Sequence, residues 1–287
     1  MKPVYITDFK RTAFTRANPK KPELDAFADT PADTLLAQLI NHSLDSGNLE
    51  PQDVDDLAIG CALGVGEQWS FGGRYPLLES RLGDQCATRM IDQQCGSGLS
   101  AIRSAALNIA AGANDIAFAA GYENMTRLPM GPTLFKQGLL GVPALPDDTG
   151  KHYDMAVVLN MGLTAENLAQ HGTISRRDMD AFALRSHALA ANAQQQGLLT
   201  DEIVNITLAN GVCINQDANI RADTHLDALA ALKPVFTENG QITAGNSSPL
   251  TSGAAITTLM SESALKVHQQ TPLARIVGCV DRGVKLK

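Results

Sequence analysis

The sequence predicts an α/β fold with a mainly parallel, buried sheet, and three features predict it. Compact apolar runs of strand length alternate with segments of helical periodicity as far as Gly121. Beyond Gly121 that alternation gives way to a stretch rich in Pro and Gly and then to longer helical segments. An apolar strand then reappears at Ala254, so the helices and loops read as an insertion into one α/β layer.

Val4 to Phe9 opens the chain as a buried strand. Thr34 to Ser46 carries Leu35, Leu36, Leu39, Ile40 and Leu44 at helical spacing, with Asp33 as the expected cap and Gly47 as the expected stop. Leu57 to Leu63 is a strand, Pro76 to Leu82 a short helix and Ala87 to Asp92 a further strand. Gly96 to Ala111 is a helix whose face is Leu99, Ile102, Ala106 and Ile109, closed by Gly112. Ile116 to Ala120 returns as a strand, and residues 125–150 read as loop. Helices follow at Leu163 to Gln170 and Arg176 to Gln196. The second starts with a capping-box pattern, Ser175-Arg-Arg-Asp178, and has the apolar face Met179, Phe182, Ala183 and Leu189. Ala254 to Met260, a short helix and Leu273 to Val277 complete the elements, with no internal repeat and no low-complexity tract.

At 287 residues, with 44% hydrophobic and 18% charged residues, the chain can build a substantial core. A net charge of -7 disfavours nucleic acid or an acidic membrane as a bulk-charge partner, although a local basic patch can still hold a phosphorylated ligand. No apolar stretch is long enough to span a bilayer. The N-terminal MKPVYITDFKRTAF lacks the apolar segment and cleavage site of a secretory signal, so the cytoplasm is the expected compartment. The five cysteines (Cys61, Cys86, Cys95, Cys213 and Cys279) are scattered and odd in number, which favours free thiols. The six histidines are equally dispersed, and no metal site is expected. Gly64, Gly66, Gly72 and Gly73 lack the spacing of a phosphate-binding loop and read as a turn or a subunit-interface loop. His171 and His187 read as surface or structural residues.

Cys95 is the residue on which chemistry centres. The segment Met90-Ile-Asp-Gln-Gln-Cys95-Gly-Ser-Gly98 places it between a strand and a helix. Unpaired N–H groups and the positive dipole end at a helix N-terminus favour thiolate over thiol. Gly96 and Gly98 leave room for a substrate to approach the backbone, and the Cys95 amide can face a developing oxyanion. The residues alone leave a structural cysteine packed under the helix equally open.

Several ordered motifs resemble those of the thiolases, the acyl-CoA C-acyltransferases. Cys95-Gly-Ser-Gly-Leu99 resembles the thiolase nucleophile turn, and Ala120-Gly-Tyr-Glu123-Asn-Met125 the segment that follows it. Asn160-Met-Gly-Leu-Thr-Ala-Glu-Asn167 and Ile174-Ser-Arg-Arg-Asp178 through Ala183-Leu-Arg-Ser-His187 resemble the family's loop domain. Lys233-Pro-Val-Phe236, Thr243-Ala-Gly-Asn-Ser-Ser248 and Ser252-Gly-Ala-Ala255 resemble the return to the core. The resemblance implies a layered thiolase-like fold. Residues 1–121 would be the first part of the N-terminal core, 122–247 an inserted CoA-binding loop domain, 248–271 the return to the core, and 272–287 the start of a truncated C-terminal core.

The same resemblance implies that Cys95 is transiently acylated in 3-ketoacyl-CoA thiolysis or acetyl-CoA condensation, with a place in fatty acid metabolism. CoA and acetyl-CoA enter as substrates, and no covalently bound cofactor is implied. Met161 would pack on pantetheine, Arg221 would hold phosphate and adenine groups, and Phe236 and Ser248 would line the pantetheine tunnel. Loop core, a solvated arginine, core packing and a turn cap are the respective structural alternatives. Two positions depart from the family pattern: Asp92 stands where asparagine is usual, and Asn160 where many members carry histidine. An ionised Asp92 would oppose thiolate formation. The Asn-Glu-Ala-Phe-like, Gly-His-Pro and second-cysteine motifs of the family's other half do not occur, so the chain alone is expected to be incomplete or inactive. It would be a gene fragment, one subunit whose partner supplies that half, or a non-catalytic acyl-CoA-binding or subunit-interaction paralogue. A homo-oligomer is also implied. A ketoacyl synthase-like condensing enzyme is the related alternative, and the long loop domain favours thiolase over it.

Overall fold

The computed structural model describes residues 2–130, 138 and 154–283. Most of the segment read as loop at 125–150 lies outside the described residues. The chain divides into two compact units. The first comprises Met1–Gly141, Leu199–Ala218 and Leu250–Val280; the second comprises Val142–Leu198, Asn219–Pro249 and Asp281–Lys287.

The first unit is built on one seven-stranded sheet. Its strands are β1 (Val4–Arg11), β2 (Thr15–Arg16), β3 (Asp56–Gly60), β4 (Ala87–Ile91), β5 (Ile116–Asn124), β8 (Thr251–Ser261) and β9 (Ala274–Ile276), and β6 and β7 (Ile206–Thr207 and Cys213–Ile214) form a separate pair. The order is β4-β3-β5-β8-β1-β9, with β2 beside β8. Among the strand pairs of this sheet in the described residues, β3–β4 and β3–β5 are parallel; β8 runs antiparallel to β5, β1 and β2, and β9 antiparallel to β1. The sheet is therefore mixed, which corrects the expectation of a mainly parallel one. Parallel neighbours need a crossover connection. Helices supply it for β3, β4 and β5, whereas β8 re-enters from the other direction after a long excursion.

Side-chain alternation on β3 and β5 sets the two faces. Leu57, Ile59, Phe118, Ala120 and Tyr122 join one core cluster with α1 (Ala32–Ser46), while Ala58, Ala117 and Ala119 join a second with α3 (Ser97–Ala111). In α1, Leu35, Leu36, Leu39, Ile40 and Leu44 are all buried, each contributing about 1.5–3 kcal/mol. Asp33, the expected cap, makes no capping bond. It lies inside the first turn, buried, and accepts the Ser70 hydroxyl at 2.5 Å; burial pushes its carboxyl above the ordinary range. The short helix α2 (Arg74–Glu79) begins after Gly73, whose φ of 88° marks the glycine-rich stretch as a turn. Gly112 closes α3 in the left-handed conformation, as expected. On the expected core face of α3, Ala106 and Ile109 are buried, but Leu99 is 76% exposed. No helix among the described residues is long and apolar enough to cross a membrane, and none of their His, Cys, Asp and Glu side chains group to hold a metal ion.

The second unit contains α4 (Met155–Val158), α5 (Met161–Gly172), α6 (Arg176–Gln195) and α7 (Leu226–Ala230); α8 (Glu262–Val267) belongs to the first unit. The capping box of α6 forms as its sequence predicts, the Ser175 hydroxyl accepting the Asp178 N–H at 3.2 Å. Its expected apolar face does not pack as a core: Phe182 and Leu189 are 71% and 53% exposed, and the buried residues of the helix are Asp180 and Ala191. Polar anchors take over. Asp180 accepts Arg176 Nε at 2.8 Å and Asn246 Nδ2 at 3.1 Å, and Arg176 Nη2 also donates to the Leu229 and Leu232 carbonyls near the end of α7. Replacing Asp180 by alanine strands these donors and is expected to destabilise the unit by about 3 kcal/mol, as for a broken buried ion pair. Phe182→Ser is expected to stay within about 0.5 kcal/mol. Hydrogen exchange of the α6 amides reads both, and loss of protection in the Phe182 variant alone would reverse the assignment.

Candidate functional site

The site forms where the sheet becomes too thin-skinned to keep a helix at ordinary distance. Along the α3 face, alanines on β3 and β5 give way to Gly60 at the end of β3 and to its partner Gly121 within β5. A Cβ on Gly60 would lie 2.4 Å from the Ser97 carbonyl carbon and oxygen and 2.6 Å from the Gly98 nitrogen. The first turn of α3 thus rests directly on the backbone of β3, and the preceding residue pair, Cys95-Gly96, is carried to the rim.

The turn is held internally. Ser97, 3% exposed, accepts the Gln93 N–H at 2.9 Å and donates to the Gln94 carbonyl at 2.5 Å. Asp92 accepts the Gln94 amide at 2.8 Å, so this departure from the family pattern braces the turn. Gln94 takes the left-handed conformation at φ 50°, which a non-glycine residue rarely adopts. Of the two glycines expected to make room, Gly98 does so, with no atom within 4 Å of a Cβ placed there; a Cβ on Gly96 would lie 3.2 Å from the Gln93 carbonyl oxygen.

Cys95 is exposed and lines a cavity of about 410 Å³. Its walls are largely apolar or small, among them Phe14, Leu99, Ile102 and Met125, with Gly60, Gly98, Gly121 and Gly253 opening space. The exposure of Leu99 is explained here: it faces this cavity rather than the core. Cys61 and Cys86 are buried. Burial, then the charge of Glu123, drives the Cys61 thiol far above its ordinary value; burial, then Asp56 and Asp55, pushes Cys86 to about 12. Cys213 and Cys279 are exposed.

The remaining sequence-predicted residues lie in the second unit. Met161 opens α5 and is 61% exposed, while Asn160 caps that helix by accepting the Gly162 and Leu163 N–H groups at 3.0 and 3.3 Å. The Phe236 ring lies over Gly162, where a Cβ would come within 2.3 Å of it, so Phe236 and the Met161 end of α5 are brought together. Arg221 is exposed, and its backbone N–H donates to His187 Nδ1 at 3.2 Å. Ser248 is exposed and bonds to the neighbouring Pro249 carbonyl at 3.2 Å. Sequence reasoning missed Glu166, buried in this unit, which accepts the Gln241 and Ile242 N–H groups at 2.9 Å. It also missed Ser97 and Glu123, whose polar character carried no periodic signal.

Residues 4–263 match the family described as the thiolase N-terminal domain. A probable acetyl-CoA acyltransferase of Staphylococcus aureus is 35% identical over 268 residues, covering 90% of this chain and 67% of that protein. Among solved structures, the acetyl-CoA acetyltransferase of Bacillus anthracis superposes with a TM-score of 0.82 at 32% identity, over 97% of this chain and 70% of that one. Human mitochondrial 3-ketoacyl-CoA thiolase, solved in complex with CoA, gives 0.80 at 29% identity, over 96% of this chain and 69% of that one.

Proposed function

Because the chain belongs to the thiolase family, we propose that it transfers acyl groups between CoA thioesters through a covalent intermediate on Cys95. The observation that carries this reading is the exposed thiol at the N-terminus of α3, facing a cavity whose apolar walls suit an acyl group. In the step proposed, Cys95 sulfur attacks the thioester carbonyl. A sulfur–carbon bond forms as the bond to CoA sulfur breaks, and the thiol proton ends on released CoA. Sulfur replaces sulfur, so acyl transfer is close to thermoneutral.

CoA binding belongs to the second unit in this reading. Met161 and Phe236 offer an apolar platform for pantetheine, Arg221 a guanidinium suited to phosphate, and Ser248 a hydroxyl. The domain limits follow the same reading, with the insertion at 122–247. The groups that accept and return protons come from outside the described cavity.

The test is incubation with acetyl-CoA followed by peptide mass spectrometry. An acetyl group is expected on Cys95, with Cys61 and Cys86 unmodified because their thiols resist ionisation. Exposed Cys213 and Cys279 serve as internal controls. Acetylation spread evenly over the three exposed thiols, or absent from Cys95, would count against the reading.

A further inference from the structure

Glu123 is the one carboxylate that lines the Cys95 cavity among the described residues, and the proposed chemistry leaves it without a task. It follows Gly121 on the same face of β5, yet it does not present free oxygens to the cavity. Its Oε1 accepts the Ala62 N–H in a very short bond, the Leu63 N–H at 3.1 Å and the Cys61 thiol at 3.4 Å. Its Oε2 accepts Gln68 Nε2 at 2.9 Å. An oxygen with two lone pairs that already meets three donors is poorly placed to act as a base.

Gln68 fixes the same loop from the other side. It is 1% exposed, donates to the Leu63 carbonyl at 3.0 Å and accepts the Asn124 N–H at 2.7 Å. The Ala62 peptide is thus held at its N–H by Glu123. At its carbonyl it accepts Gln94 Nε2 at 3.5 Å. Gln94 is the left-handed residue immediately before Cys95. An unbroken path of polar contacts runs from Glu123 through the Ala62 peptide to the turn that aims the thiol.

We propose that Glu123 is a positioning residue for acyl transfer: by holding the Ala62–Leu63 backbone against Gln94, it keeps the Cys95 turn in its reactive setting. This rests on the functional reading above. A left-handed backbone such as that at Gln94 persists where its surroundings over-determine it, and the Ala62 carbonyl adds to the internal bonds from Asp92 and Ser97. Misplacement of a reacting atom by about 1 Å can cost about 100-fold in rate.

The experiment is single-turnover acylation of the full 287-residue chain by acetyl-CoA, followed by rapid quench and intact-mass detection. Wild type, Glu123→Gln, Glu123→Asp and Gln94→Ala are compared, with thermal unfolding as a fold control. Glu123→Gln keeps the volume but turns one acceptor into a donor facing donors. It is expected to lower the limiting acylation rate about 10- to 100-fold, while half-saturating acetyl-CoA moves less than about threefold. Glu123→Asp keeps the charge and is expected to recover part of the loss, and Gln94→Ala to show a smaller loss of the same kind. A wild-type limiting rate in Glu123→Gln, or a change confined to half-saturation, would overturn the inference. If that variant does not fold, an unchanged limiting rate in Gln94→Ala overturns it instead. Absence of acyl-Cys95 in wild type would sink the functional reading itself and this inference with it; acylation in wild type with no change in the variants would remove Glu123 alone.

Discussion

Assayed alone with acetoacetyl-CoA and CoA, the 287-residue chain is expected to load Cys95 slowly and to show no sustained turnover. The cavity holds the proposed nucleophile but, among its described lining residues, no proton carrier. Among its described lining residues there is no histidine and no lysine, Glu123 is occupied by backbone donors, and burial drives the Tyr122 hydroxyl far above its ordinary value. Thiolate formation needs a base, and carbon–carbon cleavage needs a second group to protonate the departing acetyl-CoA carbanion. Each such group typically contributes about 10²–10⁴-fold, and losing two compounds the deficit. Continuous thioester absorbance measures turnover, and intact mass measures the acyl-enzyme. Turnover at an ordinary enzymatic rate by the chain alone would show that the described cavity is sufficient. Turnover that appears only when a polypeptide with the other thiolase half is added would show where the missing groups reside.

The largest effect of a single added methyl group is expected at Gly60. A Cβ there meets backbone atoms of Ser97 and Gly98 at 2.4 and 2.6 Å, and backbone cannot rotate away as a side chain can. Either β3 or the start of α3 must move. Overpacking of this kind costs about 1–3 kcal/mol, and the displaced helix start carries Cys95 with it, so Gly60→Ala is expected to lose stability and acylation rate together. Gly98→Ala is the informative contrast. It has open space where the methyl would go, so stability is expected to hold within about 1 kcal/mol or improve slightly. Chemical denaturation and single-turnover acylation measure the pair. Wild-type stability in Gly60→Ala would mean that the strand–helix contact is looser than its geometry indicates.

The elements of the first unit were legible because burial and periodicity coincide there. α1 and α3 end at or within two residues of their expected limits, since their glycine stops and apolar stripes mark real boundaries. The strand–turn–helix setting of Cys95 was legible for a local reason: a strand, a glycine-flanked cysteine and a helix follow one another without interruption. Periodicity fails where it cannot say what covers a face. Leu99 and Phe182 both sit on apolar stripes, and both are exposed. The direction of β8 was equally hidden, because an apolar run reads alike in either direction. Asp33 looked like a cap by its place in the sequence, but the Ser70 hydroxyl that holds it lies 37 positions away. Glu123 was invisible as an anchor for the same reason, its partners at Ala62, Leu63 and Gln68 being brought to it only by the parallel pairing of β3 with β5.

The place of β8 in the sheet also sets the order in which the molecule can be assembled. Among the described strands, β1 pairs with β8 and β9, and β8 is the strand that joins it to β5. A nascent chain can therefore zip β3, β4 and β5 around α3 early, through contacts close in sequence. Its first strand must wait for those strand partners until residues beyond 250 have been synthesised. Closing loops of that length is slow relative to local pairing. The interval is when the N-terminal segment is most open to chaperones and to wrong partners.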